Sequence, residues 1–329
     1  MQHKASEKPT IAEGVEALKA GLLVAFPTET VYGLGADASN PAALKRLYQA
    51  KGRPTNHPVI VHLSDIDQVK NWAREVPEAA MVLARAFWPG PLTLILPRAE
   101  SVSDAITGGQ DSVGLRIPSH PLALSLLMEF GGGVAAPSAN KFGRLSATSA
   151  EDVAKEFLDE VAVVLDGGHC EVGIESTIVD FSSAAPRILR PGMIVPEQIV
   201  SLIGEVGHGT AFGAGADKTV RAPGGLPSHY APKTPLRLVG SVALSREVES
   251  LTKQGLKVCV LSFVPNTSSD EITWLAIPNE PQAYARQLYR SLRKLDQEKA
   301  DIILVETVPT SDSWSGIADR LARASAPKY

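Results

Sequence analysis

The chain has 329 residues, of which 44% are hydrophobic and 21% charged, and a formal net charge of −4. One core usually serves roughly 100 to 200 residues, so two domains are expected. No apolar run approaches the ~20 residues that span a bilayer, and the slight acidity argues against a surface dominated by phosphate-backbone binding.

From the N-terminus, Met1 to Thr10 mixes Lys4, Glu7 and Lys8 with polar residues. It lacks the apolar centre of a signal peptide, so a cytoplasmic protein is expected. Ile11 to Lys19 reads as a helix, Leu22 to Phe26 as a strand, Pro41 to Tyr48 as a helix capped by Asn40, and Val59 to Leu63 as a buried strand. Asp65 to Trp72 and Glu78 to Phe87 read as helices, the second stopped by Trp88-Pro89-Gly90-Pro91. Strands follow at Leu92 to Leu96, Ser112 to Ile117, Val134 to Ala136, Val161 to Asp166, Thr177 to Phe181 and Arg187 to Leu189. Helices at Leu122 to Phe130 and Ala150 to Phe157 lie between them. Cys170 and Cys259, far apart in the chain, read as reduced thiols.

Gly204 to Pro235 is rich in Gly, Ala, Pro and Thr without apolar periodicity, which marks a linker. It carries Arg221, His229, Tyr230 and Lys233 beside Pro-rich turns, which suits a segment ordered against a domain. Beyond it, strands at Leu236 to Val239, Val258 to Ser262, Thr273 to Ile277 and Ile302 to Val305 alternate with helices near Glu247 to Gln254, Gln282 to Leu295 and Ser315 to Ala324. Such βα alternation predicts a small, mainly parallel sheet.

The phosphate-loop, dinucleotide and nucleophile-elbow motifs are all absent. What remains is a set of cations and hydroxyls at element ends, including Thr28, Thr30, Lys51, Arg53, His57, His62, Ser112, Arg116, Ser138, Asn140, Ser146, Ser176 and Arg190. Together they suit several anionic groups held close, with Arg and Lys offsetting charge and hydroxyls fixing orientation. Singly, most have plainer readings. Lys51 and Arg53 also complement a helix C-terminus, and Ser176 a local hydrogen bond. His57 and His62 lack the Cys or carboxylate spacing of a metal site, so no protein-held metal is expected. Arg116 lies in so apolar a strand that its guanidinium needs an anionic partner, protein or ligand.

Taken in order, several motifs resemble the YrdC-like threonylcarbamoyl-AMP synthases. They are Pro27-Thr28-Glu29-Thr30-Val31-Tyr32-Gly33-Leu34, Lys51-x-Arg53-Pro54, Pro58-x-x-x-His62, Trp88-Pro89-Gly90-Pro91-Leu92-Thr93 and Arg116-x-Pro118. Pro137-Ser138-Ala139-Asn140, Gly173 to Asp180 and Leu189-Arg190-Pro191-Gly192 complete the set. His229-Tyr230-Ala231-Pro232 before a further domain is similar to the family's two-domain form. The resemblance implies an α/β fold: a twisted, open mixed sheet with flanking helices and a basic cleft over residues 1–207, a linker or lid over 208–235, and a smaller Rossmann-like domain over 236–329.

It further implies a nucleotidyltransferase that joins L-threonine, bicarbonate and ATP into threonylcarbamoyl-AMP and pyrophosphate. A partner transferase then modifies the tRNA adenosine beside the anticodon, and any tRNA contact of this chain is expected to be weak. Carried over by motif, L-threonine meets Thr30, His62, Arg116, Ser176 and the backbone near Ala136. ATP meets Lys51, Arg53, His57, Ser112, Ser138, Asn140, Ser146, Arg190 and Tyr230, with Lys51 and Arg53 catalytic. Mg²⁺ is expected with ATP, and no tightly bound organic cofactor.

Two departures stand out. Where the family usually shows Ser-Gly and then Ser-Pro-Thr after the Asn, this chain has Phe142-Gly143 and Ser146-Ala147-Thr148, so position 142 offers no hydroxyl. Gly225-Leu226-Pro227-Ser228 replaces the basic or aromatic residues of many relatives, leaving the linker's grip on the triphosphate to His229 and Tyr230. Two other readings compete: an RNA-binding module, disfavoured by net charge and the lack of interleaved aromatics, and a carbamoyl-transfer domain, whose companion segments are missing. Glu29 is unexplained, because a carboxylate there would repel anionic substrates.

Overall fold

Helix α1 (Ile11–Lys19) begins at a reciprocal cap: the Thr10 hydroxyl accepts from the Glu13 amide, and the Glu13 carboxylate accepts from the Thr10 amide. The computed structural model describes residues 9–183, 185–209, 220–265 and 272–327, so most of the N-terminal segment and much of the first half of the linker lie outside the described residues. Asn40 caps α2 (Pro41–Lys51), which stops at Gly52 in the left-handed conformation. That stop sets Lys51 and Arg53 on either side of a helix carboxyl end.

Ten strands form the larger sheet: β1 (Val24–Phe26), β2 (Gly33–Asp37), β3 (Ile60–His62), β4 (Leu92–Pro97), β5 (Ser112–Arg116), β6 (Val134–Ala135), β7 (Val163–Val164), β8 (Thr177–Asp180), β9 (Arg187–Arg190) and β10 (Gly207–His208). Their order is β10-β9-β8-β4-β5-β3-β6-β2-β1-β7, with parallel and antiparallel pairs mixed. Around them lie α3 (Glu78–Phe87), α4 (Asp104–Thr107), α5 (Pro121–Phe130), α6 (Ala150–Phe157) and α7 (Pro196–Ile203).

The smaller sheet runs β11-β14-β12-β13, built from β11 (Leu236–Val239), β12 (Val258–Ser262), β13 (Thr273–Ala276) and β14 (Ile302–Glu306), all parallel as the βα alternation predicts. Helices α8 (Ser241–Lys253), α9 (Pro281–Gln297) and α10 (Ser315–Ser325) accompany it. On α9, Ala285, Leu288, Leu292 and Leu295 are buried on one face, each leucine contributing ~1.5–3 kcal/mol of apolar burial.

Several elements differ from expectation. Gly33–Asp37 is a strand where the sequence pattern assigns no element, its two glycines following a threonine-rich turn. Residues Ile66–Asn71 form a 3₁₀ helix, Val161 to Asp166 supplies only the two-residue β7, and the short helix α4, α7 and strand β10 were not anticipated. The N-cap of α8 is Gly240, which makes that helix start earlier than its apolar pattern indicates.

The two sheets share packing. Val31, Leu145, Ile174 and Tyr230 are buried in the same apolar cluster as Leu288, Tyr289 and Leu321 of the second sheet's helices. Helix α10 comes so close to β9's end that a Cβ added at Gly316 would lie 3.0 Å from the Gly192 backbone. A side chain there would press on that backbone.

Candidate active site

The carboxyl ends of β3 and β5 lie in parallel register, His62 opposite Arg116, so both residues face one cavity. Thr28 and Thr30 come from the β1–β2 turn, Ala136 and Ser138 follow β6, Ser176 precedes β8, and Arg190 ends β9. Arg53, Glu175, His229 and Tyr230 complete the wall.

Local chemistry explains the threonine-rich turn. The Thr28 hydroxyl accepts from the Val31 amide at 3.2 Å and donates to the Val31 carbonyl at 2.6 Å, closing a tight turn in which the Thr28 and Thr30 hydroxyls meet at 2.8 Å. Glu29 points away from that turn. Its Oε1 accepts from Arg116 Nη2 at 2.6 Å and its Oε2 from the Ser119 amide at 3.0 Å, both side chains being buried. With Arg116 Nε also directed to the Gly90 carbonyl at 3.3 Å, the guanidinium is held at two points in the cavity wall. The partner that the Arg116 strand position demands is therefore Glu29.

Arg190 is tied similarly. Nε donates to the Ser176 carbonyl and Nη2 to the Ser176 hydroxyl, both at 3.0 Å, while Nη1 reaches the Pro223 carbonyl of the linker at 3.0 Å. Ser176 Oγ also meets Thr93 Oγ1 at 2.8 Å. Arg53 Nη2 donates to the Pro58 carbonyl at 2.7 Å, and its guanidinium lies 5.5 Å from the centre of the Phe142 ring. Phe142 thus fills the hydroxyl position with an aromatic ring that also packs in T-shaped contacts with His57 and His229.

Burial sets the electrostatics. Desolvation, then the neighbouring Arg190 charge, helps bring Arg53 down to about 10, and burial likewise lowers Arg190. His62 is pushed to about 3 by burial and then Arg116, and His229 to about 3 by burial and then Arg53, so both are neutral imidazoles at physiological pH. His62 Nδ1 and both ring nitrogens of His229 are buried without a hydrogen-bond partner among the described residues. Such unsatisfied atoms in a cavity wall are suited to a ligand.

Five residues named from sequence do not line this cavity. Lys51 is fully buried behind it, its Nζ donating to the Ser138 carbonyl at 2.6 Å and the Asn140 carbonyl at 2.5 Å. Desolvation and then Arg53 hold its ammonium well below the ordinary lysine range. Asn140 accepts from Ser138 Oγ at 2.5 Å and donates to the Lys141 and Arg144 carbonyls. Ser146 donates to Glu175. These three shape the Ser138 loop and the Glu175 wall from behind. Ser112 lines a small neighbouring space with Gln110, Arg221 and Pro223, and His57 contacts the Phe142 ring.

The described part of the linker bridges both sheets. Arg221 Nη2 donates to the Gly108 carbonyl at 2.7 Å and the Ala231 amide to the Gly143 carbonyl at 3.0 Å. Arg323 of α10 donates to the Leu226 carbonyl at 2.5 Å. Tyr230 is buried with φ +57, an uncommon conformation for a residue with a Cβ, and Gly224 has no Cβ because one would overlap the Tyr230 hydroxyl.

Sequence reasoning missed Glu175, although it lies inside a quoted motif, and missed Tyr289 and Arg320 of the second domain, which reach it. The available signal was Arg320 itself, which falls on the same helix face as Gly316, Ile317, Leu321 and Ala324, where a charge requires a partner.

Residues 16–192 match the Sua5–YciO–YrdC family, described as telomere recombination, and residues 194–326 match the family described as threonylcarbamoyl-AMP synthase, C-terminal domain. The threonylcarbamoyl-AMP synthase of Pyrococcus abyssi is 41% identical over 94% of this chain and 92% of its own length. That of Bacillus subtilis is 39% identical over 96% of this chain and 93% of its own. The crystal structure of P. abyssi Sua5 complexed with L-threonine superposes with a TM-score of 0.89 at 39% identity, covering 96% of this chain and 94% of that one.

Proposed function

Because the chain belongs to the threonylcarbamoyl-AMP synthase family, we propose that the cavity between Thr30, His62, Arg116 and Arg53 is where its reaction takes place. The enzyme forms threonylcarbamoyl-AMP and pyrophosphate from L-threonine, bicarbonate and ATP, for threonylcarbamoyl modification of tRNA. The observation that carries the site assignment is the convergence of three buried guanidinium groups, Arg53, Arg116 and Arg190, on one cavity.

Arg116, pre-set by Glu29, receives the threonine carboxylate, while Thr30, His62, Ser176 and the backbone near Ala136 surround its amine and side chain. The threonine nitrogen attacks the carbon of CO₂ or bicarbonate, forming an N–C bond; with CO₂ the nitrogen releases a proton, and with bicarbonate the C–O bond to hydroxide breaks and the hydroxide leaves with that proton as water. A carbamate oxygen then attacks the α-phosphorus of ATP, and the bond to pyrophosphate breaks. The carbamate, ATP and the leaving pyrophosphate are all anionic, so the reaction gains most from positioning and charge stabilisation by Arg53 and Arg190. Ser138 and Tyr230 face the ATP side. Lys51, Asn140 and Ser146 contribute by holding that wall; His57 and Ser112 flank it.

The carboxylates nearest the cavity do not suit a resident metal. Both oxygens of Glu29 and of Glu175 are already hydrogen-bonded to protein donors. Mg²⁺ is proposed to arrive with the ATP substrate instead. The linker, tied to both domains, is proposed to act as a lid that keeps water from the carbamate and the mixed anhydride. The proposed division is a catalytic domain to residue 207, the lid to 235 and the second domain beyond. A cytoplasmic setting and transfer of the product to a partner transferase, with weak tRNA contact by this chain, complete the reading.

The test mixes purified protein with ATP, Mg²⁺, bicarbonate and L-threonine and seeks threonylcarbamoyl-AMP by mass, with serine as control. The adenylate is expected with threonine. Its absence from folded protein overturns the reading.

A further inference from the structure

Among the described residues, Glu175 is the one carboxylate lining the cavity. In a site of low dielectric that gathers a triphosphate and a carbamate, an uncompensated negative charge there would repel the substrates. Arg190 lies on the same side of the site, but the larger compensation comes from the second domain. Glu175 Oε2 accepts from Arg320 Nε at 2.7 Å and from the Tyr289 hydroxyl at 3.0 Å, while Oε1 accepts from Ser146.

Arg320 does more than pair one charge. Its Nη2 donates to the Glu175 carbonyl at 3.2 Å and its Nη1 to the Pro191 carbonyl at 3.0 Å, so it grips the chain immediately beside Ser176 and Arg190. The guanidinium carbon lies 5.1 Å from the centre of the Tyr230 ring. Asp319, which also accepts from Arg320, is shared with Arg323 at 2.9 Å. The Arg320 side chain is 0% exposed, an arrangement made reachable by the Gly316–Gly192 approach.

We propose that Arg320, carried by the second domain, is a positioning residue of the active site that cancels the negative charge of Glu175 and fixes the Ser176, Arg190 and Tyr230 walls for ATP. The second domain thereby completes a site whose substrate contacts belong to the first domain and linker. The inference rests on the reaction proposed above.

Steady-state pyrophosphate release by the full chain tests it, comparing wild type with Arg320→Met, Arg320→Lys, Glu175→Gln and the double variant Glu175→Gln/Arg320→Met, with thermal melting as a check on folding. Arg320→Met is expected to raise the KM for ATP about tenfold or more, with a smaller effect on the KM for threonine. Arg320→Lys, which keeps the charge, recovers much of that loss. In the double variant, where no uncompensated charge is left, the KM for ATP returns to within about threefold of Glu175→Gln alone. A merely structural contact would not give that rescue.

A folded Arg320→Met with an ATP KM within about twofold of wild type overturns the proposal, as does a folded double variant no better than Arg320→Met. Should Arg320→Met fail to fold, the double variant and Arg320→Lys decide by the same comparison with wild type. Failure of the wild-type chain to form any adenylate would overturn the reaction itself rather than this role within it.

Discussion

Glu29→Ala should damage threonine binding without touching any atom of the substrate. Glu29 is 5% exposed and supplies acceptors for two donors, Arg116 Nη2 at 2.6 Å and the Ser119 amide at 3.0 Å. Removing one partner of a buried pair costs ~3–5 kcal/mol of stability. The lower end applies here, because Arg116 borders a cavity into which its guanidinium can turn. Once released, the side chain regains rotamer freedom of ~2 kcal/mol, which must be lost again when it grips a carboxylate. At ~1.4 kcal/mol per factor of ten, the KM for threonine should rise about 30-fold. Glu29→Gln keeps an acceptor and should fall between. The assay is threonine-dependent pyrophosphate release at saturating ATP, beside urea unfolding. Unchanged stability with a threonine KM within about twofold of wild type would refute the reasoning.

Other outcomes follow from the same geometry. Arg53→Ala should leave the fold intact and lower kcat/KM for pyrophosphate release by about 10²–10³, and near-normal turnover would remove its assigned role. Ending the chain before Arg221 should sharply reduce adenylate yield, because Tyr230 and the helices bearing Tyr289 and Arg320 are lost; an unaffected yield would reduce the linker to a spacer. His229 is held to about 3, so between pH 6.5 and about 3 the unfolded chain binds a proton that the folded chain does not. Its contribution is therefore present above pH 6.5 and lost as pH falls, at ~1.4 kcal/mol per pH unit. In urea titrations from pH 6 to pH 4, His229→Phe should lose less stability than wild type; identical slopes would show that His229 is not held neutral.

Much of the chain was readable because helix signals are local. Thr10 with Glu13, Asn40 before Pro41, and Gly131 after Phe130 act over three or four residues, and the elements they bound lie where the pattern puts them. Strand β2 was not readable, since glycine is a poor strand former. Its glycines are accommodated because a Cβ at Gly35 would meet the Phe26 and Val134 side chains, a contact between three strands that no local window contains.

For the site, the sequence by itself determined the kind of chemistry: buried strands bounded by Arg116, Arg190, Ser176 and a threonine-rich turn have few uses besides holding anions. Only the tertiary structure decided which of those residues face the cavity and which stand behind it. Lys51 looks like a substrate contact until its ammonium is found on the Ser138 and Asn140 carbonyls. Glu29 looks repulsive until Arg116 is found against it, and Arg320 looks unrelated to the site until α10 brings it to Glu175. The physical reason is common to all three. A buried charge must find its counter-charge or acceptors wherever the fold supplies them, and those partners lie 87 to 145 residues away in the chain.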